Sequence, residues 1–117
     1  MHLLVKQTPF WLLLLALTVF SLLPTAFLPH AVFSIWDKVQ HASGFACLTW
    51  LGVWAYPRHP ARVAAALLVH GALIELAQAA TGWRTGDWRD LLADAIGIAL
   101  ALLFWSMVVR TRRATAS

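Results

Sequence analysis

Charge is what this sequence has least of. Acids and bases together make up 12% of its 117 residues and hydrophobic residues 61%, too little polar surface to keep a domain of this size in water. A single cysteine, Cys47, excludes both an intrachain disulfide framework and a thiolate metal cage and leaves the redox compartment open. Internal repeats and low-complexity stretches are also missing. Crossing the ~30 Å hydrocarbon layer takes about 20 helical residues, so the length allows four or five crossings and no separate soluble domain. The formal charge of +4 suits a nucleic-acid binder only if its cations share a folded soluble face. In a chain this apolar they mark membrane sidedness instead, and no nucleic-acid partner is expected.

What is present is a series of long apolar runs. Residues 7–36 contain no Asp, Glu, Lys or Arg, and Phe10 to Phe20 is apolar on every face except for Thr18, which predicts a first crossing over about 9–29. Pro9 suits the first turn of that helix, and Pro24 and Pro29 suit its bend or end. Lys6 ahead of the run and small residues at Thr25-Ala26 resemble a secretory leader. The run is long for one, however, and no small-x-small site follows closely. A second crossing is predicted over about 37–56, closed by Trp54 and Tyr56 as interfacial anchors, a third over 61–80 after the basic turn Arg58 to Arg62, and a fourth over 87–109 before Arg110, Arg112 and Arg113. The closing residues are expected to fray. The expected fold is therefore all-α, a single membrane domain over 1–117 with four helices in an up-down bundle joined by short loops.

Alternate sides for the loops place Lys6, Arg58, Arg62, Arg110, Arg112 and Arg113 on one face and Lys38, Arg84 and Arg89 on the other. The excess of cations predicts cytoplasmic N- and C-termini. All five acids, Asp37, Glu75, Asp87, Asp90 and Asp94, fall at the opposite, extracytoplasmic end. Acids do not set orientation, so a shared site is the simplest reason for their segregation.

Helical spacing gives three polar stripes for that site. Asp37 and His41 are at i, i+4 with Lys38 beside them, Glu75 and Gln78 are at i, i+3, and Asp87, Asp90 and Asp94 follow i, i+3, i+7 with Gly97 extending the stripe. A rise of about 1.5 Å per residue puts Glu75 roughly 8 Å below Ala80 and Asp94 roughly 10 Å below Asp87, in one layer. Charges at that depth face a partner or a wet cavity. Lys38, Arg84 and Arg89 are the cations on that side. The plain alternatives are interhelical hydrogen bonding for the stripes, and for Asp87 a helix N-cap with Asp90 in the first turn. His70 points about 140° away from Glu75 around its helix and is set aside; His2, His30 and His59 read as interfacial. Trp36, Trp83 and Trp88 at the outer end, and Trp11, Trp54, Tyr56 and Trp105 at the inner, read as belt anchors.

The order Asp37-Lys38-x-x-His41-x-x-x-Phe45, Glu75-x-x-Gln78, Arg84 with Asp90 six residues on, and Asp94-x-x-Gly97 resembles the VanZ-like family of small bacterial membrane proteins, whose founding member is associated with teicoplanin resistance. The likeness covers about residues 35–105. It implies a multi-pass protein of the bacterial plasma membrane and no established reaction. Asp94 stands where the family more often has Asn, and Asp87 where it has a Ser-like residue, so both departures add negative charge.

Three functions remain open. The outer pocket binds or modifies a cell-envelope component, a lipid-linked precursor or a phospholipid headgroup, with Arg84, Arg89 or Lys38 on a phosphate, Asp37, Gln78, Asp87 and Asp94 lining the site, and His41, Glu75 and Asp90 as acid or base. Alternatively His41, Glu75, Asp90 and Asp94 hold a divalent metal in a membrane hydrolase or transferase, where oxygen-rich ligation suits magnesium, manganese or calcium. The third is a non-enzymatic assembly protein in which the polar layer only fixes helix register. Ligand, cofactor and homo-oligomeric state are not legible.

Overall fold

The computed structural model describes residues 1–24, 26 and 35–117, and for Ile35 and Trp36 the backbone alone. Pro29, His30 and the Trp36 side chain therefore lie outside the described residues, as does most of 25–29 at the predicted end of the first crossing. Four helices make up the described chain: α1 (His2–Leu22), α2 (Ile35–Ala55), α3 (Pro60–Thr81) and α4 (Trp88–Ala116).

α1 begins seven residues before the predicted start, so Pro9 lies inside it and not in its first turn. Leu3, Leu4 and Val5 extend the apolar helix backward, and Thr8 Oγ1 donates to the Leu4 carbonyl at 2.7 Å. The end comes earlier than predicted, at Leu22, because Leu23 precedes Pro24 and is held extended (φ −64°, ψ 145°), as the clash with a following proline ring demands. Pro60 starts α3 in its first turn, and Gly82 ends it in the left-handed conformation (φ 77°), the backbone that glycine adopts without a Cβ penalty. α4 runs seven residues past its predicted end and carries the basic tail as helix up to Ala116, so those residues are not frayed. No glycine or proline interrupts 98–117, and Arg113 in the last turn complements the helix dipole.

The helix ends alternate. The ends of α1 and α3 lie with the starts of α2 and α4, as Gln78 to Ser21 and Lys38 to Asp87 contacts require. At the other end Trp11 donates to Tyr56 Oη at 3.1 Å, Lys6 stands over Trp54, and Trp50 packs edge-on against Trp105. α2 is the hub and packs most closely on α4, while α1 lies against α2 and α3.

The distribution of polarity is inverted relative to a water-soluble protein. Leucines on α1, α3 and α4 (Leu12, Leu15, Leu73, Leu76, Leu100 and Leu103) are exposed, whereas Asp90, Asp94, Glu75, Gln78 and Thr49 are buried. Exposed apolar surface on this scale calls for an apolar partner. α1, α3 and α4 are each long and apolar enough to cross a membrane. α2 is as long but is not among them; Phe45, Leu48, Thr49 and Val53 on its inner face lie at the centre of the packing, while Gln40, Ser43 and Cys47 are exposed. The closest approach is between α2 and α4: a Cβ added at Gly97 would lie 2.1 Å from the Ala42 carbonyl oxygen.

Candidate functional site

At the acidic end one imidazole stands among four carboxylates. His41, in the second turn of α2, has Nδ1 2.9 Å from Asp94 Oδ1 on α4, and Nε2 3.8 Å from Asp37 Oδ1 and 3.7 Å from Asp90 Oδ2. The Gly97–Ala42 contact explains the first distance, because it lays α2 on α4 one turn away from this pair. Glu75 comes from α3, and one of its oxygens lies within 4.8 Å of ligand atoms of His41 and Asp94. Its Oε2 accepts the Asp87 backbone N–H at 2.7 Å, while Oε1 is buried with no partner among the described residues.

Lys38 is the ion-pairing cation of the cluster. Its Nζ lies 2.9 Å from Asp87 Oδ2, bonds Asp90 Oδ1, and stands 3.9 Å from Asp37. Asp87 is also the N-cap of α4, accepting Arg89 N–H at 2.9 Å, as its position before the fourth helix suggests. The Lys38 ammonium, then the Arg89 amide, hold the Asp87 carboxyl below its ordinary range.

Two residues expected at the ligand do something else. Gln78 Nε2 donates to the Ser21 carbonyl at 2.9 Å, and Arg84 Nη1 reaches the Leu23 carbonyl at 3.5 Å; Trp83 Nε1 joins them on Leu22 O at 3.0 Å. Carbonyls at the end of an α-helix lack intrahelical donors, so these three side chains cap α1 and tie it to α3. Arg89 lies beside the Trp88 ring, 5.8 Å from its centroid. Among the described residues neither arginine forms an ion pair with the acids.

A cavity of about 340 Å³ opens between α1 and α2 at this end. Leu17, Phe20, Gly44 and Phe45 give it an apolar floor; Asp37, His41 and Arg84 give it a polar side, with Ser21, Gln40 and Ser43. The serines and Gln40 were not anticipated, although a polar residue in an otherwise apolar run is the available signal. His70, set aside by its angle, indeed faces elsewhere and meets Thr18 Oγ1 of α1 at 2.8 Å.

No family model matches the chain, and neither a curated protein nor a solved structure does.

Proposed function

We propose that the protein is a VanZ-like, four-crossing protein of the bacterial plasma membrane with both termini in the cytoplasm, and that its extracytoplasmic cavity binds the headgroup region of an envelope lipid. The observation that carries this reading is the two-sided lining of the cavity, apolar on Leu17, Phe20 and Phe45 and charged on Arg84, Asp37 and His41. An amphiphile fits both sides: its glycerol or polyprenyl portion lies on the apolar floor, and its phosphate meets the Arg84 guanidinium, whose planar fork suits phosphate oxygens. Arg84 needs only to release a 3.5 Å contact with a carbonyl.

The reading extends to chemistry through His41. Its Nε2 edge lies on the Asp37 side, which lines the cavity, so this nitrogen is the group placed to move a proton to or from a bound headgroup. The order of motifs from Asp37 to Gly97 supports the family and, through it, a link to glycopeptide resistance.

Native mass spectrometry of gently purified protein tests the binding reading. A discrete lipid or lipid-precursor adduct is expected on the wild type, lost in Arg84→Ala and partly kept in Arg84→Lys. Wild-type protein without an adduct after reconstitution with envelope lipids, or an adduct undiminished in Arg84→Ala, defeats it.

A further inference from the structure

The acidic cluster is not balanced by the cations around it. Asp37, Asp90 and Asp94 approach His41, and Glu75 joins His41 and Asp94, while Lys38 is the one ammonium among them in the described residues. Buried charge without a partner is costly, more so where lipid surrounds the protein. The imbalance is greatest away from Lys38. Asp90 and Asp87 take the ammonium, whereas among the described residues Asp94, 1% exposed, hydrogen-bonds His41 alone, and Glu75, 9% exposed, has one oxygen on a backbone amide and the other without a partner.

We propose that His41 Nδ1, Glu75 and Asp94 hold a divalent cation between α2, α3 and α4. The unpartnered, buried Glu75 Oε1 points to it, since a buried carboxylate oxygen without a donor or cation is costly to keep, and a cation is what a carboxylate in this position lacks. The geometry is close to ligation. Ligand atoms of the three residues already lie within 4.8 Å of one another. Donors about 2.1 Å from a metal stand about 3.0 Å apart when cis and about 4.2 Å apart when trans, so side-chain movements of up to about 1–2 Å complete the site. Room for it depends on α3, where a Cβ at Gly71 would come within 2.9 Å of Asp94 Oδ2.

With Nδ1 on the cation, Nε2 carries the proton on the side of Asp37 and Asp90, at 3.8 and 3.7 Å; a small approach by either carboxylate would give the carboxylate–histidine hydrogen bond that fixes ring orientation at metal sites. The alternative group, Asp37, His41 Nε2 and Asp90, is less suited, because Lys38 already neutralises Asp90. Two carboxylates and one imidazole favour a cation that accepts both oxygen and nitrogen, which makes Mn²⁺ the appropriate probe. This inference does not depend on the lipid reading: a cation site can exist whether or not a headgroup enters the cavity.

The test is titration of MnCl₂ into the full chain, stripped with chelator and held in a lipid-free detergent micelle, followed by the electron paramagnetic resonance signal of free Mn²⁺. One bound Mn²⁺ per chain is expected, with nitrogen coupling from a single imidazole in the echo-modulation spectrum. Glu75→Gln and Asp94→Asn should weaken binding at least tenfold, and Ser106→Ala at the opposite end should leave it within twofold. Glu75→Gln keeps an oxygen for the Asp87 amide and is expected to fold; if either variant does not, the wild-type nitrogen coupling decides alone. Absence of saturable binding, binding without nitrogen coupling, or unchanged affinity in a folded Glu75→Gln overturns the proposal. A lipid adduct lost in Arg84→Ala together with no Mn²⁺ binding would sink this inference and leave the binding reading standing.

Discussion

Replacing Gly97 with alanine is the most demanding test of the helix packing. Its Cβ would stand 2.1 Å from the Ala42 carbonyl oxygen, 2.9 Å from Ala42 C and 3.0 Å from Ala42 Cα. These are backbone atoms, so no rotamer change relieves them, and α2 must retreat from α4 by about 0.9 Å to bring the oxygen to the 3.0 Å limit. Overpacking a close-packed interface costs about 1–3 kcal/mol. The same retreat stretches the His41–Asp94 contact from 2.9 Å past hydrogen-bond range, and a bond to a charged group contributes about 1.5–3 kcal/mol. A combined loss of about 2.5–6 kcal/mol corresponds to a melting decrease of roughly 10 °C or more for a chain of this size. Gly82→Ala is the internal comparison, because it meets nothing within 4 Å and pays only for its φ of 77°, about 1–2 kcal/mol. Thermal unfolding of both variants in the same micelle, followed by circular dichroism, reads the difference. Gly97→Ala melting within 2 °C of wild type, or losing no more than Gly82→Ala, would refute the close approach of α2 and α4.

Two further outcomes follow from the same end of the molecule. Asp87→Asn keeps an N-cap acceptor but loses the Lys38 pairing, so wild type should melt above it at neutral pH; because Asp87 is depressed below its ordinary value of 3.8, this advantage should persist above that pH and vanish as pH falls through the lower folded value. A gap that stays constant or widens in acid, measured by paired melts from pH 7 to 3, contradicts the ion pair. For the four-crossing topology, single cysteines at His59 and Thr85 in a Cys47→Ser background should react with a membrane-impermeant maleimide from opposite sides, Thr85 from outside intact cells. Labelling of both positions from one side rejects the topology.

The residues that were legible are those decided by local spacing. Asp37 and His41, and Asp90 and Asp94, share helix faces by arithmetic alone, and the structure turns those faces toward one another. The starts and ends of α2 and α3 were marked by charge, proline or glycine at their flanks. What spacing could not give was anything set by rotation of one helix against another. Lys38, Arg84 and Arg89 were equivalent as cations on one side, and only the α2–α4 contact decides that Lys38 takes Asp87 and Asp90. Gln78 looked like a site residue because it shares a face with Glu75. Its actual partner, the Ser21 carbonyl, becomes foreseeable only if Pro24 is read as a hard stop that leaves α1's last carbonyls open. At the start of α1 and the end of α4 the helix extends through cationic residues that mark an interface, because Lys6, Arg110, Arg112 and Arg113 are good helix formers.

α2 unites the fold and the candidate site. Mean hydropathy along a helix reflects the surface it offers to its surroundings, and α2 offers comparatively little, being packed against α1, α3 and α4. A helix enclosed in this way can carry Asp37, Lys38 and His41 in its first turns at a cost its neighbours offset: Asp94 receives the imidazole, Asp90 the ammonium, and Gly97 gives up its side chain so that the backbones can meet. The polar residues that keep α2 from ranking among the helices apolar enough to cross a membrane are thus the same ones that assemble the acidic cluster. An α2 without Lys38 and His41 would have nothing to hold Asp94 and Asp90 inside the bundle.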